Sequence, residues 1–134
     1  MPAGEIRVAI NSDQDIVSAR QKGRALASEL GFGSVDATLI ATTISELARN
    51  ILAYAKRGEI ILRTINGPNR TGIEIVASDE GPGISDIRQV LRDGFSTSGG
   101  LGLGLPGVKR LTDEFEITSQ VGRGTKVTAK KWKR

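Results

Sequence analysis

Eight of the chain's seventeen glycines (Gly81, Gly83, Gly94, Gly99, Gly100, Gly102, Gly104 and Gly107) fall in the 27 residues from 81 to 107. A stretch so rich in glycine needs either positive φ or a close approach of its backbone to something else. Gly94 to Val108 carries no charge, but six glycines and Pro106 make it a poor spanning helix. It reads instead as loops ahead of a short helix, placed after a strand.

What such loops could serve is narrowed by two missing residue types. The 134 residues contain no cysteine and no histidine. That excludes disulfides, thiolate or imidazole metal sites, Ser-His-Asp and Cys-His nucleophile pairs, and a phosphohistidine. Acid-base chemistry is left to carboxylates, lysine and tyrosine. With 38% apolar and 25% charged residues the chain has a soluble globular balance, and its length fits one domain spanning residues 1–134. The net charge of +4 is uneven: Arg123, Lys126, Lys130, Lys131, Lys133 and Arg134 crowd the last twelve positions, so residues 1–122 carry 13 − 15 = −2. A basic tail on a mildly acidic body weakens the case for nucleic-acid binding, which is not expected, and the tail reads as a solvated edge strand whose lysines discourage pairing with other chains. The N-terminus lacks a basic region followed by an apolar run, so the expectation is a cytoplasmic protein with no membrane association.

Glu5 to Asn11 alternates, with Ile6, Val8 and Ile10 on one face, as a strand does. Ser12 or Asp13 can cap a helix to about Leu30, with Ile16, Ala19, Gly23, Leu26 and Leu30 as its stripe and Gly31 and Gly33 ending it. A second helix is expected from about Val35 to Lys56, with Ile40, Ile44, Leu47 and Ile51 facing the core and Gly58 closing it. Strands Glu59 to Ile65 and Gly72 to Asp79 follow, joined through Asn66-Gly67-Pro68-Asn69-Arg70-Thr71. Short helices at Asp86 to Arg92 and about Leu103 to Thr112 precede two last strands, Glu114 to Gln120 and Thr125 to Trp132. The order β-α-α-β-β-α-α-β-β does not alternate strictly. An α+β two-layer sandwich fits it best, with helices on one face of a mixed, largely antiparallel sheet.

Three features carry chemistry. Glu46 and Asn50, four apart on the second helix, stack on one flank and border the apolar stripe. Alone they are indistinguishable from an exposed polar pair. Asp79 shares the parity of Ile73, Ile75 and Ala77, so its carboxylate points into the helix-covered layer, where it needs a donor. An adenine amine would be one, with Gly81 and Gly83 admitting the base; a capped turn after a strand is the alternative. In Gly99-Gly100-Leu101-Gly102-Leu103-Gly104-Leu105, glycines 100, 102 and 104 can turn amides inward, ahead of a helix N-terminus suited to phosphate. There is no P-loop lysine followed by Ser or Thr. Phe95-Ser96-Thr97-Ser98 is polar and flexible, as a lid over a triphosphate would be.

Taken together and in this order, the features resemble the GHKL superfamily of ATP-binding proteins, which includes gyrase, Hsp90, histidine kinases and anti-sigma-factor kinases. The N box reads Glu46-Leu47-Ala48-Arg49-Asn50, the G1 box Asp79-Glu80-Gly81-Pro82-Gly83, and the G2 box Gly100-Leu101-Gly102-Leu103-Gly104-Leu105; Gly124-Thr125 is similar to the family's threonine near adenine. The resemblance implies a Bergerat ATP-binding fold. It also implies Asp79, Gly81, Gly83 and Thr125 around adenine, and Thr97, Ser98, Gly100, Gly102, Leu103 and Gly104 around the phosphates. Asn50 would hold Mg²⁺, and Glu46 would orient or deprotonate the attacking hydroxyl. Arg20, Lys109 and Arg110 are candidate cations near phosphates or partner acids, and equally ordinary surface charges.

No room remains for the extra domains of gyrase or Hsp90, and no histidine for autophosphorylation. What remains resembles the small serine/threonine kinases of bacterial partner switching, in particular the stressosome switch kinases. That branch implies phosphorylation of STAS-domain proteins of the RsbS and RsbR kind, followed by activation of a PP2C-type phosphatase of the RsbU kind. Anti-sigma-factor kinases that sequester a sigma factor are the alternative, although they usually carry a histidine where this chain has Leu52-Ala53-Tyr54-Ala55.

Overall fold

In a computed structural model that describes residues 5–83 and 104–133, the chain runs β1 (Glu5–Ile10), α1 (Asp13–Glu29), α2 (Ser34–Tyr54), β2 (Gly58–Gly67), β3 (Arg70–Asp79), α3 (Gly104–Leu111), β4 (Glu114–Gln120) and β5 (Gly124–Trp132). The five strands form one sheet in the order β1-β2-β3-β5-β4. Each adjacent pair is antiparallel. The expected helix over Asp86–Arg92 lies outside the described residues.

Strand alternation decides which face the helices cover. Val8, Ile10, Ile60, Leu62, Ile73, Ile75, Ala77 and Val127 join Ile16, Leu26, Ile40, Ile44, Leu47, Ile51, Leu105 and Val108 of the helices in one buried core. Apart from Ile61 and Val76, buried at its centre, the opposite face is mostly polar. There Glu5, Arg63, Glu74, Lys130 and Glu114 stand side by side across β1, β2, β3, β5 and β4. Arg63 reaches both Glu5 at 3.3 Å and Glu74 at 3.0 Å, and Lys130 lies 3.8 Å from Glu114. Alternating charge in register suits a face turned to water. No helix among the described residues is long and apolar enough to cross a membrane.

Local chemistry sets the helix ends. The Asp15 carboxylate accepts the backbone N–H groups of Asn11 and Ser12 at the start of α1. Gly31, at φ +88, turns the chain out of it. Gly23 lets α1 lie close on α2, since a Cβ there would run into Ile44 Cδ1. Gly58 does not close α2, contrary to the expectation from sequence. Lys56 does so instead, at φ +70, while Gly58 opens β2, where a Cβ would sit 2.9 Å from Ile51 Cγ2. Nor is the β2–β3 connection six residues long. Gly67 pairs with Arg70, leaving Pro68 and Asn69 as the turn. Proline at the first position and Asn69 at φ +62 are the signature of a type II turn.

The C-terminal strand is not at an edge. β5 lies between β3 and β4, and β4 is the edge. Its lysines therefore divide by parity: Lys126 is exposed on the open face, whereas Lys131 is 8% exposed on the helix side. Lys131 Nζ donates to the Leu111 carbonyl at 3.2 Å and lies 3.9 Å from Asp36 Oδ1. It thus joins the C-terminal end of α3, where a cation is favoured, to the first turn of α2.

Candidate functional site

Helix α2 carries the first part of the site. Contacts with α1, α3, β1, β2 and β3 surround it, so every residue from Thr43 to Ala48 is buried. Glu46 is only 3% exposed. It lies inside the packed region rather than bordering it, so the buried part of α2 reaches beyond the Ile40-Ile44-Leu47-Ile51 stripe. Arg49 Nη1 donates to Glu46 Oε2 at 2.9 Å. Asn50, half-buried, lies one turn beyond Glu46.

The end of β3 carries the second part. Asp79 is half-buried, and its Oδ1 accepts the Gly81 N–H at 2.8 Å. The capped turn weighed against an adenine contact is therefore real, and it uses one carboxylate oxygen. Gly81 has a packing reason of its own: a Cβ would come within 2.6 Å of Ala55 Cβ at the end of α2. Gly83, at φ +80, lies against the β4–β5 turn, where a side chain would run into the Gln120 carbonyl. Gly122 N–H donates to the Pro82 carbonyl at 2.8 Å. Residues 79–83 are thus held between the end of α2 and the β4–β5 turn.

That turn brings the third part. Thr125 pairs with Asp79 across β3 and β5, and Ser119 pairs with Thr125 across β4 and β5. Directly opposed residues share a face, so all three point to the helix side. Ser119 Oγ donates to the Gly124 carbonyl at 3.0 Å and lies 2.9 Å from Thr125 Oγ1. A hydroxyl has a single proton, so Thr125 is the donor in the second bond and keeps its two lone pairs as acceptors. Asp79 and Thr125 therefore offer acceptor oxygens side by side, as an exocyclic amine requires. The sequence motifs do not single out Ser119, although the alternation of β4 places it on this face. Two cavities of about 390 Å³ each lie at the strand end, but both reach round to the open face: one is bordered by Ala9, Glu59 and Ser78 as well as Ala55 and Asp79, the other by Ser78, Thr118 and Lys126 as well as Asp79 and Thr125.

Of the phosphate-side candidates, Gly104 begins α3, with Leu105 and Val108 buried behind it. Thr97, Ser98, Gly100, Gly102 and Leu103 lie outside the described residues. Lys109 and Arg110 are exposed and Arg20 is half-buried on α1. Among the described residues no three acidic side chains gather as a metal site. Asn50 offers a hard amide oxygen of the kind Mg²⁺ accepts, which fits an ion held mainly by nucleotide phosphates and water.

Comparison with known proteins identifies the family. Residues 35–134 match the family described as histidine kinase-, DNA gyrase B- and HSP90-like ATPase. The serine/threonine-protein kinase RsbT of Bacillus subtilis is 58% identical over 95% of this chain and 96% of its own. An anti-sigma F factor of Caldanaerobacter subterraneus is 30% identical over 92% of this chain and 89% of its own. Among solved structures, the mycobacterial sensor histidine kinase MprB superposes with a TM-score of 0.57 at 18% identity, covering 98% of this chain and 99% of that one. That likeness speaks to the fold alone.

Proposed function

This chain belongs to the histidine kinase-, DNA gyrase B- and HSP90-like ATPase family, and from that premise we propose that it is an ATP- and Mg²⁺-dependent protein serine/threonine kinase acting as a partner switch. Its substrates would be STAS-domain proteins, and its second partner a PP2C-type phosphatase that it activates once phosphorylation has released it.

Glu46 carries this reading. Burying a carboxylate mid-helix costs several kcal/mol unless it is compensated, and a chain that needed only packing would place an apolar residue there. Its 3% exposure and its place one turn from Asn50 support the reading of Glu46 as the base for an incoming hydroxyl. Bound ATP with Mg²⁺ would supply the transferable phosphoryl group and the neutralisation of its charge. The chain's own residues bind and orient. Asp79 and Thr125 would accept from the adenine amine, Asn50 would offer its amide oxygen to the metal, and Glu46 would take the hydroxyl proton of the substrate. Gly100, Gly102, Leu103 and Gly104, with Thr97 and Ser98, would line the phosphates.

The RsbT relative, covered almost end to end, favours STAS and phosphatase partners, whereas the anti-sigma F factor relatives favour sequestration of a sigma subunit. Size-exclusion chromatography of the chain with a STAS-domain protein, a PP2C-type phosphatase and a sigma subunit separates the two. Complex formation with the STAS protein that shifts to the phosphatase on addition of Mg-ATP is the expected outcome. Stable capture of sigma in place of both would overturn it.

A further inference from the structure

Glu46, Arg49 and Asn50 occupy one turn of α2, where side chains three and four positions apart are neighbours. The ion pair between the first two differs from a surface pair. Arg7 and Glu5 are 56% and 37% exposed along their side chains, and a pair of that kind contributes little. In the 2.9 Å pair of Arg49 with Glu46 the carboxylate is 4% exposed and the arginine 32%. The guanidinium reaches inward from the rim to a carboxylate that water barely touches.

Such a contact does two things for a buried base. It compensates a charge that burial would otherwise make costly. It also fixes direction, because a guanidinium is planar and donates along set lines, whereas a glutamate carboxylate can otherwise swing about its side-chain torsions. The bond engages Oε2, so a carboxylate held this way has Oε1 to present elsewhere.

We propose that Arg49 is a positioning residue for Glu46: it holds the carboxylate so that its second oxygen meets the attacking hydroxyl of the substrate, and it does not contact the nucleotide. The proposal rests on Glu46 being the base, and its test separates the two. Phosphate transfer from labelled ATP to a STAS-domain substrate and ATP affinity by calorimetry would be measured for the full chain and its Arg49→Ala, Arg49→Lys, Glu46→Gln and doubly substituted Glu46→Gln/Arg49→Ala variants. Arg49→Ala should lower kcat about 10- to 100-fold, as a misplaced catalytic group does, with ATP affinity changed by less than about twofold. Arg49→Lys, which keeps the charge without the fork, should recover part of the rate and keeps the question answerable if Arg49→Ala does not fold. In the Glu46→Gln background Arg49→Ala should remove nothing more, since the two act as a unit. Wild-type kcat in both Arg49 variants, or a defect confined to ATP affinity, would overturn the positioning role while leaving Glu46 in place. Wild-type transfer by Glu46→Gln, or no transfer by the wild-type chain, would instead remove the reading beneath it.

Discussion

Asp79 and Thr125 stand directly opposite each other in the antiparallel β3–β5 register, on the face that the helices cover. Their acceptors lie side by side at the strand end, with Asp79 held by the Gly81 N–H and Thr125 by Ser119. The polarity of the site follows from this pair: it is built to receive donors.

Replacing the charge without disturbing the turn tests that polarity. Asp79→Asn can still accept the Gly81 N–H through its amide oxygen, so the fold should persist. Its amide nitrogen would meet the adenine amine donor to donor, and ATP affinity should fall about 10- to 100-fold, the scale of losing a charge-assisted bond and leaving a polar group mispaired. Calorimetric titration with ATP, beside a thermal melt, checks both halves.

The β4–β5 turn makes a contrasting pair of glycines. Gly122 is at φ +82 and a Cβ added there would have nothing within 4 Å, whereas Gly124 is at φ +123 and a Cβ there would strike the Asp79 carbonyl oxygen. Gly122→Ala should cost only the left-handed penalty, about 1 kcal/mol. Gly124→Ala should cost about 3 kcal/mol or more and loosen the strand end that holds Asp79. Equal losses in urea unfolding would show that the contact with β3 is not as described.

Much of this fold is legible in local patterns, since alternation and helical period are properties of neighbours in sequence. The strands, the start of α1 and the order of the described elements follow from them. Lateral order does not: nothing local to residues 124–132 says that β5 slips between β3 and β4, so its lysines read as edge protection. Glu46 reads as a border residue for a similar reason, because its burial depends on tertiary packing around α2 rather than on the pattern of its own helix. The side on which Asp79 lies is legible from the alternation of β3, whereas Thr125 is singled out only by the resemblance of Gly124-Thr125 to the family's threonine. Ser119, which orients the Thr125 hydroxyl, becomes visible only through the register of β4 on β5.

Lys131 gives that lateral order a measurable consequence. Lys131→Met removes the bond to Leu111 and the charge facing Asp36, and should destabilise the chain by about 1–3 kcal/mol. Lys130, next to it but on the open face beside Glu114, should tolerate the same change within about 0.5 kcal/mol. Denaturant midpoints of the two variants decide; an edge strand would give two small effects.

Acid sensitivity should locate the charge row on the open face. Hydrogen bonds from Arg63 and then Arg7 hold the Glu5 carboxyl below its ordinary value of 4.5. A carboxyl with a depressed folded-state pKa binds more protons when unfolded. Its contribution is therefore present above 4.5 and is lost as pH falls below that value through the folded pKa. The gap in melting temperature between the wild type and Arg63→Gln should be widest near about pH 7 and narrow towards about pH 3. A gap that does not change with pH would place the effect of Arg63 in packing.

The most direct measurement is the time course of phosphate transfer to serine or threonine of a STAS-domain protein at saturating Mg-ATP, read on a phosphate-affinity gel for the wild type and Glu46→Gln. The expected result is transfer by the wild type, a loss of about 100-fold or more in Glu46→Gln as befits a general base, and ATP affinity unchanged between them. Transfer at the same rate by both proteins would contradict the role of Glu46 on which the proposed chemistry stands.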